Sequence, residues 1–225
     1  MDRFERVKIL FGNSTFHKFS TSSILLIGVG GVGSWTLDCL YRTGIQNITI
    51  VDFDRYDETN RNRQIGSDNN VGRKKVERLK ELYPNIETMD IRVSPEFVEG
   101  FEFSKYDLVI DAIDEVDTKV ALAHKVYYKL ISSMGSANLV TPAKIEISSI
   151  WKTKDDPLAR VVRNRLRKTG FDKDYRVVFS PGLREGEKGG SFVGVTGAFG
   201  LHLCSYAVQY LGKRENEFTK YTNNI

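Results

Sequence analysis

Four short apolar runs punctuate the chain: Ile24-Leu25-Leu26-Ile27, Ile48-Thr49-Ile50-Val51, Leu108-Val109-Ile110 and Leu130-Ile131. Each is continuous rather than alternating, the pattern of strands buried on both faces of a parallel sheet. Helical spacing fills the gaps. Residues 34–42 read as one helix. Residues 73–83 read as another, with Val76, Leu79 and Leu82 on one face and Pro84-Asn85 as the stop. Residues 86–93 read as a short strand, 97–103 as a short helix or turn, and 118–128 as a helix. Beyond Ser133 the pattern changes. Residues 144–151 alternate and predict a strand antiparallel to the others. Asp155-Asp156-Pro157 caps a helix to Lys168, with Leu158, Val162 and Leu166 inward. A strand over 175–179 and a flexible charged loop over 182–190 follow. The predicted class is α/β: a Rossmann-like, doubly wound, mostly parallel sheet with an added antiparallel portion in the C-terminal part.

The ends of the chain differ from its middle. Phe4, Val7, Leu10 and Phe11 recur at helical spacing, so residues 1–22 are expected to form an N-terminal helical segment, its run ended by Gly12-Asn13. Residues 191–212 hold no Asp, Glu, Lys or Arg, a stretch long enough to span a bilayer. Glycines at 194, 197 and 200 put small residues on one stripe, which favours a helix packed closely on the sheet instead. Residues 213–225 read as a polar tail. The expected organisation is therefore 1–22, a nucleotide-binding domain over 23–140, its C-terminal continuation over 141–212, and the tail.

Composition narrows the class. The 225 residues carry 33 Lys and Arg against 29 Asp and Glu, a net charge of +4, which is too mild to imply nucleic acid by itself. The N-terminal Met1-Asp2-Arg3-Phe4-Glu5-Arg6 is too charged for a signal peptide. Cys39 and Cys204 stand far apart and outside any C-x-x-C pair, so neither a disulfide framework nor a zinc site is expected, as suits a reducing cytoplasm.

Candidate chemistry gathers where the first strands end. Gly28-Val29-Gly30-Gly31-Val32-Gly33-Ser34 joins the first strand to its helix. Such glycines let backbone approach a phosphate, and the helix aims free N–H groups at it. Asp52 lies about twenty residues on, where a carboxylate accepts from ribose hydroxyls. That pattern suits ATP and a nicotinamide dinucleotide equally. Asn60-Arg61-Asn62-Arg63-Gln64 and Lys75 fall beside the loop in a doubly wound sheet. Arg63 and Lys75 supply the fork and point charge that a triphosphate needs. Arg61, Arg73 and Lys74 read as solvated charges. Asp111 and Asp114 end a second strand in acid: one carboxylate could hold Mg2+ against phosphates, or cap the next helix. On the helix after Pro157, Arg160, Arg163 and Arg167 share an outer face, flanked by Lys152, Lys154, Lys173 and Arg176. A solvated face or a patch for a phosphate backbone both fit.

In order, Gly28-x-Gly30-Gly31-x-Gly33-Ser34, Asp52-Phe53-Asp54, Asn60-x-x-Arg63-Gln64, Val71-Gly72-x-x-Lys75-Val76-Glu77 and Asp111-x-x-Asp114 resemble the ThiF/MoeB group of adenylating enzymes, relatives of the ubiquitin-activating enzymes. Arg3-Phe4, Leu10-Phe11-Gly12, Gly33-Ser34-Trp35, Asn60-Arg61-Asn62-Arg63-Gln64-Ile65, Ile110-Asp111-Ala112-Ile113-Asp114 and Asp156-Pro157-Leu158-Ala159 resemble the branch that dehydrates threonylcarbamoyl-adenosine in tRNA. The resemblance implies ATP and Mg2+ as cofactors. Gly28, Gly30, Gly31, Gly33, Asp52, Asp54, Asn60, Arg63, Gln64 and Lys75 would bind the nucleotide. Arg63, Lys75 and Asp114 would serve catalysis, and Asp114 would place the metal. It also implies tRNA as substrate on Arg160, Arg163 and Arg167, a homodimer with Arg3 or Arg6 reaching the other subunit, and a cytoplasmic setting. A sulfurtransferase-system partner is among what the resemblance allows. The alternatives are an activator of a small sulfur-carrier protein, which the missing zinc pair opposes, and an NAD-dependent oxidoreductase.

Overall fold

The computed structural model describes residues 2–187 and 189–212; the expected polar tail lies outside the described residues. Seven strands form one sheet in the order β3-β2-β1-β4-β5-β7-β6. They are β1 (Ser23–Ile27), β2 (Asn47–Val51), β3 (Glu87–Met89), β4 (Leu108–Asp111), β5 (Leu130–Ser133), β6 (Glu146–Ser149) and β7 (Arg176–Phe179). All neighbours are parallel except β6 and β7. The strand order reverses between β1 and β4, so a crevice opens there beyond their carboxyl ends.

The helices are α1 (Glu5–Phe11), α2 (Asn13–Thr21), α3 (Gly33–Thr43), α4 (Lys75–Leu82), α5 (Pro95–Gly100), α6 (Val116–Val126), α7 (Pro157–Lys168) and α8 (Val193–Gly212). Continuous apolar strands require cover on both faces, and both are covered. Ile24 and Leu26 of β1 pack with Phe19, Leu37, Val76 and Phe199 from α2, α3, α4 and α8. Leu25 and Ile27 pack with Val98, Leu122 and Val162 from α5, α6 and α7.

Two expectations are corrected. The N-terminal segment is two helices rather than one, because Gly12 turns at φ 82° and α2 starts at once. Within the stretch expected to be a flexible charged loop, the Asn138 side chain donates to the carbonyls of Glu185 and Glu187 and accepts from Gly189 N. Cys39 and Cys204 form a disulfide, with Cα atoms 6.1 Å apart, where neither was expected to pair. The reason is the close approach of α3 and α8. A Cβ on Gly200 would lie 2.6 Å from the Val32 carbonyl oxygen, so the glycine stripe does bring the two backbones together. Among the described residues no helix is long and apolar enough to cross a membrane.

Candidate active site

At the end of β1 the chain enters Gly28 at φ 86°, and Gly28 N donates to Val51 O at 2.8 Å. Gly33 opens α3 directly over this turn: a Cβ there would stand 1.9 Å from the Gly28 carbonyl oxygen. The loop is thus folded back on itself, and only hydrogen fits at its base. Asp52, at the end of β2, braces it. One oxygen accepts from Val29 N at 2.8 Å and the other from Asp54 N at 2.8 Å.

The polar segment after β2 is more ordered than its composition suggests. Tyr56 is buried within it and donates to Ile65 O at 2.8 Å. Two residues of the first turn of α3 hold its far end beside the glycine loop. Trp35 Nε1 donates to Arg63 O at 3.0 Å, and Ser34 Oγ accepts from Ile65 N at 3.2 Å. The Arg63 side chain lies along Gly31, where a Cβ would meet its methylenes at 3.1 Å, and its guanidinium donates to Thr59 O at 2.7 Å. Gln64 is buried and its Oε1 has no partner among the described residues.

These groups line a cleft of about 790 Å³. Gly28, Gly30, Gly31, Asp52, Asp54, Arg63, Gln64, Lys75 and Asp114 all reach it. Gly33 and Asn60 do not: Gly33 lies beneath the loop, and the Asn60 side chain closes a capping box with Asp57. Lys75 is only 4% exposed and its ammonium lies 2.9 Å from Asp54 Oδ2. The two strand-end acids separate cleanly. Asp111 is fully buried and ion-paired to Lys119 at 2.9 Å, while Asp114 is exposed on the cleft with no ion pair among the described residues. Of these two, only Asp114 presents its carboxylate to the cleft. One such carboxylate, completed by phosphate oxygens and water, is the usual holding of Mg2+. Arg61, Arg73 and Lys74 are surface groups paired with Glu58, Glu81 and Asp90.

The far half of the cleft was not visible in the sequence. Ser133, Gly135, Ser136 and Asn138 line it, facing Leu158, Arg184 and Ser191. The rule that ligands sit beyond the carboxyl ends of parallel strands would have found the residues after β5. Arg184 had no such signal. Its guanidinium bridges Gly135 O at 2.9 Å and Asp156 Oδ2 at 3.3 Å. Asp156 caps α7 by accepting from Ala159 N at 2.9 Å, and also accepts from Gly135 N at 3.1 Å. Burial raises its carboxyl above the ordinary range, against these hydrogen bonds and Arg184.

The basic helix therefore starts at the cleft. Ala159, Val162 and Leu166 are buried beneath it. Arg160 is exposed, and Arg167 lies over the Trp151 ring, 5.3 Å from its centroid. Arg163 turns inward and donates to the Thr153 hydroxyl. Its partial burial, followed by the neighbouring Arg167 charge, lowers its pKa.

A glycine loop at a sheet's switch point, ringed by an arginine, a buried lysine and an unpaired carboxylate, defines a nucleotide-dependent enzyme site. A family model described as ThiF matches residues 5–225, and the chain belongs to the ThiF family. It is 36% identical over 190 residues to the tRNA threonylcarbamoyladenosine dehydratase of Bacillus subtilis, covering 80% of this chain and 75% of that one. With the dehydratase of Escherichia coli it shares 36% identity over 175 residues, 73% of this chain and 65% of that one. The crystal structure of the E. coli enzyme with ATP superposes with a TM-score of 0.87 at 32% identity, covering 99% of this chain and 96% of that one. Its complex with AMP superposes equally well, at a TM-score of 0.87.

Proposed function

We propose that this chain is an ATP-dependent dehydratase of N6-threonylcarbamoyladenosine in tRNA. The free carboxylate of the modified nucleoside attacks the α-phosphorus of ATP. The bond to the β-phosphate oxygen breaks, pyrophosphate leaves, and an acyl-adenylate forms. The carbamoyl group of the same side chain then attacks the activated carbonyl. AMP leaves, a ring closes, and the nucleoside has lost one water. Adenylation is needed because a carboxylate is a poor electrophile. The observation that carries this reading is one cleft holding Arg63, Lys75 and Asp114 around the glycine loop, with the basic helix starting at its other end.

Each group has a role by chemistry. The amides of the loop from Gly28 to Gly33 take phosphate oxygens, and Asp52 takes the ribose while bracing the loop. Arg63 and Lys75 stabilise charge on the departing pyrophosphate. Asp54 aims Lys75, and Asn60 shapes the segment that carries Arg63. Asp114 is the residue that would hold Mg2+, which when bound neutralises phosphate charge. The reading needs no protein nucleophile, and Cys39 and Cys204 face each other between α3 and α8, away from the cleft. It includes the cytoplasm, where tRNA is modified, and a homodimer. Exposed Ile9 and Leu10 on α1 support a self-contact there. Arg6 is the better candidate to cross it, since Arg3 already lies over the rings of Phe4 and Tyr41.

The test is to incubate the enzyme with Mg-ATP and tRNA bearing the modification, and to weigh the released nucleoside. Loss of one water is expected; an unchanged mass sinks the proposal. A second experiment addresses α7. Reversing Arg160 and Arg167 to Glu should weaken tRNA binding and flatten its salt dependence by about one unit of slope per lost phosphate contact. Unchanged affinity and slope would remove α7 from the tRNA surface. Arg163 is left intact because it is bonded to Thr153.

A further inference from the structure

A buried charge pair lies under the cleft, neither of its members lining it. Lys119 on α6 and Asp111 at the end of β4 are both fully buried. Lys119 Nζ donates to Asp111 Oδ2 at 2.9 Å and to Ser133 O, on the next strand, at 2.8 Å. Ser132 Oγ donates to the same carboxylate oxygen at 2.6 Å. The other oxygen, Oδ1, accepts from Ile113 N at 3.1 Å. The cluster therefore ties two strand ends to the turn that carries Asp114.

Both halves of the cleft lean on it. On one side, Gly28 rests against the turn: a Cβ there would stand 2.9 Å from Ile113 Cγ2 and 3.0 Å from the Ala112 carbonyl. On the other, Ser133 leads through Met134 to Gly135, whose N–H and carbonyl are held by Asp156 and Arg184. A continuous path of contacts thus runs from the first glycine of the loop to the N-cap of α7. Fold stability is a weak reason to keep a lysine and an aspartate here. Two buried charges pay desolvation, and well-packed neutral replacements are often as stable or more so.

We infer that Lys119 and Asp111 are positioning residues that set the spacing between the phosphate half and the acceptor half of the cleft, and so align the acyl carboxylate with the α-phosphorus. The inference rests on the adenylation reading above. Such a role predicts loss of rate without loss of nucleotide binding, because misplacing reactants by about 1 Å is enough to cost about 100-fold.

The test is the double variant Asp111→Asn with Lys119→Met, which removes both charges and so leaves neither buried alone. It should melt at or above the wild-type temperature and bind Mg-ATP within about threefold of wild type, while pyrophosphate release at saturating modified tRNA falls about 100-fold. Release within about threefold of wild type would make the pair dispensable for alignment and overturn the inference. Parallel loss of ATP binding and rate would overturn it too, as general damage to the site. If the double variant does not fold, Asp111→Asn alone is read the same way, and failure of both to fold makes the pair a folding element instead. Wild type in the same assay separates the two readings: no pyrophosphate from wild type overturns adenylation, and the inference with it.

Discussion

Lys75→Met should release pyrophosphate at least about 100-fold more slowly than wild type while melting within a few degrees of it, as expected for removal of one preorganised charge from a transition state. The separation of the two effects follows from the geometry. Lys75 is buried at the start of α4, lines the cleft, and sets its ammonium against Asp54. Methionine fills similar space without the charge. Asp54 loses its partner but is about half exposed, so water can solvate it and little folding energy is lost. Stopped-flow measurement of pyrophosphate with modified tRNA, beside a melting curve, checks both halves. A rate within about tenfold of wild type would show that Lys75 does not stabilise the leaving group.

Gly33→Ala should abolish measurable ATP binding and destabilise the fold by about 1–3 kcal/mol, the usual cost of forcing a carbon into occupied space. The obstacle is backbone, not a side chain that can swing away: the added carbon would lie 1.9 Å from the Gly28 carbonyl oxygen and 2.8 Å from its carbon. Relief requires moving Gly28 or the first turn of α3, and either motion opens the phosphate cradle. Gly31→Ala is the control. The nearest atoms to its carbon would belong to the flexible Arg63 side chain, so binding should weaken without being lost. Calorimetric titration with ATP decides it, and an unimpaired Gly33→Ala would mean that the loop does not need its present shape.

Much of the fold was legible because its signals are local. The apolar runs of β1, β2, β4 and β5 reflect burial on both faces, which any window of sequence reports. Asp156 and Pro157 mark the start of α7 for the same reason. The reading blurred where the deciding contact is distant. β4 was expected to run to Asp114 but ends at Asp111, because that carboxylate turns inward to Lys119 and bonds back to Ile113 N. The segment after Asp54 has no apolar period to read, because its anchors are Tyr56 to Ile65 and Trp35 to Arg63. The nucleotide half of the cleft comes mainly from short motifs and was seen. The acceptor half is knotted by Asn138 to residues near 187, and no local pattern announces such a pairing.

The Cys39–Cys204 bond has a topological consequence. Every strand but β1 lies between the two sulfurs, so with the bond oxidised the polypeptide is a covalent ring with two tails. A peptide cut inside the ring, for instance beside exposed Leu183, linearises the circle without dividing the molecule. In denaturant the two pieces then travel as one until a reductant arrives. Continuity of the backbone and continuity of the molecule are separate properties in this protein, and the redox state decides whether they differ.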